Sequence, residues 1–98
     1  MAKPSLEELK TKVVSEIDKS AYRAVEVAKD ILNAPERGFR EFKTAARVAE
    51  EFSNLGIPFE DGIAITGLKG ILDTGNPGPT VAVMGELDSL IVLGHPYS

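Results

Sequence analysis

Two carboxylates separated by one residue, Glu86 and Asp88, are the side chains whose type and spacing best suit chemistry in this sequence. They follow an apolar run at 80–84 that lacks polar alternation, which predicts a strand covered on both faces. Ligands of open α/β sheets collect outside the carboxyl ends of strands, where an extended backbone would place both carboxylates on one side. Such a pair suits metal coordination, general-base work or the orientation of a metal-bound histidine. Acidic residues also follow strands in ordinary solvated loops, and the spacing alone leaves that interpretation open.

Two helices are predicted ahead of this region. Ser5 and Glu8 have the spacing of a capping box, and the first helix is expected to stop just before Pro35. A second helix is predicted from about residue 40 to 55, closed by Gly56 in a left-handed conformation. The first helix has an apolar stripe at helical spacing that could pack on a sheet. Its members are Leu6, Leu9, Val13, Ile17, Ala21, Val25, Ala28 and Leu32.

Beyond Pro58 the pattern changes to that of strands. Short runs rich in β-branched residues at 63–66 and 68–73 precede a turn segment at 74–79 that can join antiparallel strands. With the strand at 80–84, this predicts an α/β class in which two N-terminal helices pack on a mixed β-sheet. We expect a single domain over 1–98, helical over 1–57 and composed of strands and turns over 58–98.

The composition excludes several classes of protein and site. The chain has 98 residues, no cysteine, one histidine and a formal net charge of −4. A disulfide framework, a cysteine zinc site and a self-contained multi-histidine metal site are therefore excluded. The negative charge argues against a nucleic-acid surface, and no apolar run approaches the roughly 20 residues of a membrane span. The first residues lack a signal-peptide pattern, which predicts a cytoplasmic location.

Five segments, taken in order, give the sequence a specific resemblance. They are residues 35–44, 55–56, 64–67, 78–82 and 85–90. The first, PERGFREFKT, fills every fixed position of the signature Pro-Glu-x-Gly-Phe-x-Glu-x-x-Thr. Together they resemble the amidohydrolase branch of the dinuclear zinc metallopeptidases, the family of aminoacylases and carboxypeptidases. That branch includes aminobenzoyl-glutamate and indole-acetyl-amino-acid hydrolases.

The resemblance implies the N-terminal portion of a zinc-peptidase-like catalytic domain. The parent enzyme would hydrolyse amide bonds of N-acyl amino acids or small peptides with two divalent metal ions, zinc or manganese. Some relatives carry a His-x-Asp motif after this strand, in which the histidine binds metal and the aspartate orients or bridges. Glu86 stands at the histidine position and Asp88 at the aspartate position, so the resemblance gives Asp88 a catalytic-support role. Glu86 inherits a position near the metal.

The metal ligands are not expected in this chain. In the amidohydrolase branch the resemblance places them in a downstream His-Ala-Cys-Gly-His segment, a Glu-Glu pair and further histidines. His95 is followed by Pro96 and Tyr97 where the Ala-Cys of that segment would be needed. His95 is therefore expected to be a surface residue without a metal.

Two interpretations follow, from different classes of protein. In the first, the chain is the N-terminal portion of a metal-dependent amidohydrolase and is inactive alone. It would then self-associate or need the missing C-terminal part to cover apolar surface. In the second, it is a stand-alone, non-catalytic α/β interaction module derived from that family. Under both, the signature at 35–44 is expected to shape the connection between the helices and to have no chemistry of its own.

Overall fold

The computed structural model describes residues 3–96, which form two helices followed by two strands. In chain order these are α1 (Leu6–Asn33), α2 (Phe42–Asn54), β1 (Phe59–Ile63) and β2 (Gly67–Gly70). The predicted α/β class is confirmed. The chain divides into two compact units, residues 1–30 and residues 31–98. The single-domain organisation expected from the sequence stays a prediction.

The first unit consists mainly of α1. The N–H of Glu8 donates to the Ser5 hydroxyl at 3.1 Å, and the Ser5 carbonyl accepts from Leu9 at 3.0 Å. Ser5 is thus the N-cap that the sequence predicts, and α1 ends at Asn33, before Pro35. The side chains of its apolar stripe are exposed, so packing of this stripe on a sheet stays a prediction. No helix within residues 3–96 is long and apolar enough to cross a bilayer.

In the second unit, α2 ends at Asn54 and is closed by Gly56, as the sequence predicts. Gly56 has a φ of 69°, in the left-handed region. Its N–H donates to the Ser53 carbonyl at 3.1 Å, and the next N–H, of Ile57, donates to Phe52 at 2.9 Å. This pair of bonds is a Schellman motif, which satisfies carbonyls that the helix itself leaves without donors.

Strands β1 and β2 form an antiparallel hairpin whose turn lies at 64–66. Phe59 is opposite Gly70, and an irregularity in register between Glu60 and Ile63 adds one residue to β1. Gly62 lies in this bulge with a φ of 68°, a conformation that glycine adopts without steric cost. The prediction of a strand over 63–66 is wrong, because the chain reverses there through left-handed Ala64 and Ile65.

Helix α2 packs against both strands of the hairpin. The rings of Phe52 and Phe59 stack with centroids 5.6 Å apart. Gly70 lies directly beneath this contact, since a Cβ atom there would be 2.9 Å from Cε1 of Phe52 and 3.2 Å from Cγ2 of Ile57. Within the described residues no apolar side chain is fully buried, so this small cluster is the nearest approach to a core in the second unit.

The strand predicted at 80–84 does not form, and residues 71–90 lack regular secondary structure. Val83 is 96% exposed and Met84 92% exposed. A strand is stabilised by a neighbour that completes its hydrogen-bond ladder, and within the described residues the segment at 80–84 pairs with neither β1 nor β2. The turn at 74–79 is recognisable from an N–H of Gly75 that donates to the Asp73 carboxylate at 2.8 Å, but it joins no strands.

We predict that Gly70→Ala destabilises this unit by about 1–3 kcal/mol, because a methyl group would overlap the Phe52 ring. Gly85→Ala is the matched control, since a Cβ at Gly85 meets no atom within 4 Å. Urea denaturation of the gene product that carries this chain, followed by circular dichroism, gives the unfolding midpoint of each variant. Equal midpoints for the two variants would contradict this packing.

Candidate functional site

The N-terminus of α2 is capped by a side chain from outside the helix. The first N–H groups of a helix lack helical acceptors and need other partners. One carboxylate oxygen of Glu36 accepts from the N–H of Lys43 at 3.1 Å. The other accepts from the N–H of Thr44 at 2.6 Å and from its hydroxyl at 2.8 Å. Thr44 is only 3% exposed, so Glu36 satisfies polar groups that water does not reach.

The same contacts determine the charge state of Glu36. Desolvation acts to raise the pKa of its carboxyl group, but it is outweighed by the hydrogen bonds from the N–H groups of Thr44 and Lys43. The Thr44 hydroxyl and the positive charge of Lys43 act in the same direction, and the net pKa is lowered from the ordinary value of 4.5. Glu36 is therefore ionised at neutral pH and suited to accept all of these bonds.

A second glutamate of the signature connects α2 to the hairpin. Glu41 occupies the N-cap position of α2, yet its side chain makes no cap hydrogen bond. It accepts instead from the hydroxyl of Thr66, at the end of the hairpin turn. Both residues are 6% exposed. This buried bond holds the turn, with its left-handed Ala64 and Ile65, against the start of α2.

The segment that carries the predicted carboxylates is attached to the signature through the backbone. The N–H of Ser89 donates to the carbonyl of Glu36 at 2.7 Å. Leu87 and Ser89 are half-buried, whereas Glu86 and Asp88 are exposed. The alternation is that of a locally extended backbone, with Leu87 and Ser89 turned toward the protein and both carboxylates facing outward. Asp88 thus lies directly before an anchored residue.

The described residues do not fit a two-metal centre by themselves. His95 is exposed in a turn in which its N–H donates to the Val92 carbonyl at 3.2 Å. Within residues 3–96 there is no group of three or more His, Cys, Asp or Glu side chains placed to hold a metal ion. Glu86 and Asp88 alone offer fewer ligands than such a centre requires. The roles assigned to these three residues from the sequence stay predictions.

The structural roles of Glu36, Glu41, Thr44 and Thr66 were not visible in the sequence. All four lie in the segments that carry the resemblance, at 35–44 and 64–67. A glutamate six residues before the first residue of a helix matches no capping pattern, and Glu41 pairs with a residue 25 positions away. The complete signature at 35–44 was the available sign that Glu36, Glu41 and Thr44 matter. It does not reveal which residues they contact.

Comparison with known proteins identifies the family. The chain is 30% identical over 86 residues to YhaA of Bacillus subtilis, which is named as a candidate amidohydrolase. It is 33% identical over 69 residues to thermostable carboxypeptidase 2 of Saccharolobus solfataricus. It is 35% identical over 66 residues to an Arabidopsis thaliana protein named IAA-amino acid hydrolase ILR1-like 2. The chain belongs to the amidohydrolase family. The resemblance seen in the sequence is thereby confirmed.

The match is extensive in this chain and partial in its relatives. The aligned regions cover 88%, 69% and 67% of the chain, respectively. They cover 22%, 18% and 15% of these three relatives. No protein-family model matches the chain, and no solved structure matches it significantly. All three relatives carry the names of hydrolases.

We predict that Glu36→Gln lowers the denaturation midpoint at pH 7, because glutamine lacks the charge and one of the two acceptor oxygens. A carboxylate whose folded-state pKa is lowered stabilises the fold above its ordinary pKa, and this contribution is lost as the pH falls through the folded-state pKa. The difference between wild type and variant should therefore narrow below about pH 4.5, the ordinary value. Urea denaturation of the gene product across pH 3 to 7 measures it, with the exposed Glu26→Gln as control. A difference in denaturation midpoint between wild type and Glu36→Gln that does not change with pH would contradict an ionised Glu36.

Proposed function

We propose that this chain contributes the carboxylate-bearing part of an active site that hydrolyses the amide bond of an N-acyl amino acid or small peptide. The observation that carries the proposal is the exposed Asp88, held directly before the anchored Ser89. Family membership supports the reaction class, since relatives of this chain are named as carboxypeptidases and amino acid hydrolases.

The proposed roles follow from carboxylate chemistry. Hydrolysis of an amide requires removal of a proton from the attacking water as the C–O bond forms. It also requires delivery of a proton to the nitrogen as the C–N bond breaks. Asp88 supports these transfers by accepting a hydrogen bond from a proton-bearing group of the site and fixing its orientation. Glu86 lies on the same side of the segment and contributes negative charge next to it.

The proposal includes two divalent ions, zinc or manganese, in the complete enzyme, with ligands from outside the described residues. The ligands are assigned elsewhere because the sequence contains no cysteine and one histidine, and because the resemblance implies that they lie in a downstream segment. It also includes the cytoplasmic location that the sequence predicts.

A further part of the proposal concerns apolar surface. Val81, Val83 and Met84 are more than four-fifths exposed, as is Leu93 in the turn beyond the carboxylates. Large apolar side chains with this degree of exposure are typically covered by another surface when they form a patch. We propose that either a further segment of the enzyme or a second copy covers them.

We predict that Asp88→Ala in the gene product lowers kcat for N-acetyl amino acids roughly 10- to 100-fold, the usual effect of removing a carboxylate that orients a catalytic site. The exposed side chain makes no contribution to packing, so the unfolding midpoint should stay at the wild-type value. Asp18→Ala, on the exposed surface of α1, is the matched control for activity and stability. Wild-type activity in Asp88→Ala would make Asp88 an ordinary solvated loop residue.

The same assay separates the alternative function. A gene product that is monomeric and hydrolyses none of a panel of N-acyl amino acids and dipeptides, with zinc or manganese added, would favour a non-catalytic interaction module.

We also predict that the isolated 98-residue polypeptide retains no stoichiometric zinc after dialysis. The physical reason is the shortage of ligands, since tight zinc sites take three or four protein donors. Atomic absorption on the dialysed polypeptide measures the metal content. One zinc ion retained per chain would place ligands within these residues and overturn their assignment to another part of the enzyme.

A further inference from the structure

Glu36 makes hydrogen bonds in two directions. Its carboxylate accepts three bonds from Lys43 and Thr44 at the first turn of α2. Its backbone carbonyl accepts the N–H of Ser89 at 2.7 Å. A single residue therefore connects a helix end to the backbone beside Asp88, across more than 50 positions of sequence.

The carboxylate bonds restrict the position of the Glu36 carbonyl. A free loop glutamate can rotate about its backbone and side-chain torsions, whereas three bonds to one helix turn fix the carboxylate end of this side chain and so restrict the backbone to which it is attached. Thr44, which supplies two of these bonds, is buried and belongs to α2. The carbonyl is consequently presented from a rigid element, although Glu36 itself lies in a connection.

The Asp88 segment depends on such an external anchor. Residues 71–90 form no strand or helix, so no regular hydrogen-bond ladder sets the backbone angle at Asp88. The hydrogen bond of Ser89 holds the residue directly after Asp88, and Leu87, directly before Asp88, is half-buried. Misplacement of a reacting group by about 1 Å can cost on the order of 100-fold in rate. An anchor one residue away is close enough to control Asp88 at that level.

We propose that Glu36 is a positioning residue, which holds the carboxylate of Asp88 toward the proton-bearing group that Asp88 orients, through the hydrogen bond that the Glu36 carbonyl accepts from the N–H of Ser89. This inference rests on the function proposed above for Asp88. It gives the signature at 35–44 an indirect part in catalysis, in addition to its role in shaping the connection between the helices.

The test uses two pairs of variants in the gene product. Ser89→Pro removes the donor N–H, and Ser89→Ala keeps it. Glu36→Ala removes the whole cap, and Glu36→Gln keeps one acceptor oxygen. Gly70→Ala is the control for a general loss of stability, since its expected clash lies under Phe52 and not at the Asp88 segment. Each variant is assayed for kcat and KM with N-acetyl amino acids, and for hydrogen–deuterium exchange of the peptide that contains residues 86–93.

We expect Ser89→Pro and Glu36→Ala to lower kcat about tenfold or more, with KM changed less than about twofold. The substrate-binding surface is unchanged in these variants, whereas the carboxylate of Asp88 is no longer held in position. Exchange over 86–93 should be faster in both. Ser89→Ala and Glu36→Gln should have kcat values much closer to that of the wild type. Gly70→Ala should have the wild-type kcat at temperatures below its unfolding temperature. Wild-type kcat in Ser89→Pro, or an equal loss in Gly70→Ala, would overturn the proposal.

The exchange measurement separates this inference from the function on which it rests. If Asp88→Ala is fully active, the proposed function fails, and faster exchange over 86–93 in Glu36→Ala would still demonstrate the anchor. If exchange over 86–93 is the same in wild type and Glu36→Ala, the anchor fails whatever the activity of Asp88→Ala.

Discussion

The structure of the second unit depends on how the N–H groups at the start of α2, which lack acceptors within the helix, are satisfied. Glu36 accepts two of these N–H groups and the Thr44 hydroxyl, and Glu41, at the cap position, is then free to accept from Thr66. Had Glu41 capped the helix itself, the hairpin turn would lack its buried partner. The two glutamates of the signature thus have different roles. Glu36 determines where α2 begins, and Glu41 determines where the hairpin packs against it.

Polar contacts have unusual weight here because little apolar area is buried. Glu41, Thr44 and Thr66 are the buried residues of the described chain, and no apolar side chain joins them. A buried polar group without a partner is costly, whereas a paired one contributes modestly. Among the described residues no buried side-chain nitrogen or oxygen lacks a hydrogen-bond partner. The network therefore acts mainly by selecting one arrangement, since each alternative would leave a glutamate or threonine unsatisfied.

Local signals in the sequence predicted local structure well. The Ser5 cap, the end of α1 before Pro35 and the left-handed Gly56 all depend on residues within one helical turn of the feature. The hairpin was misplaced because its turn uses Ala64 and Ile65 in conformations that favour glycine, so the composition gave no warning. The strand at 80–84 was misjudged because an apolar run reports what a segment can bury and not whether a partner strand is present. The roles of Glu86 and Asp88 stay predictions from their spacing, and the attachment of Ser89 to Glu36 could not be predicted because it joins residues more than 50 positions apart.

The attachment also links the segment that identifies the family to the segment that carries the two carboxylates. The signature at 35–44 has few groups suited to catalysis, and the pair of carboxylates at 86 and 88 is too simple to identify a family. Three hydrogen-bonded contacts of the signature unite them: with α2, with the turn at Thr66 and with the backbone at Ser89. The two side-chain contacts require a carboxylate at 36, a carboxylate at 41 and a hydroxyl at 44, so these residue types are constrained by geometry, whereas the backbone contact at Ser89 could be made by any residue type other than proline. A segment without reactive chemistry of its own can therefore be restricted in sequence by the hydrogen bonds that it makes, and one of these bonds reaches the residue next to Asp88.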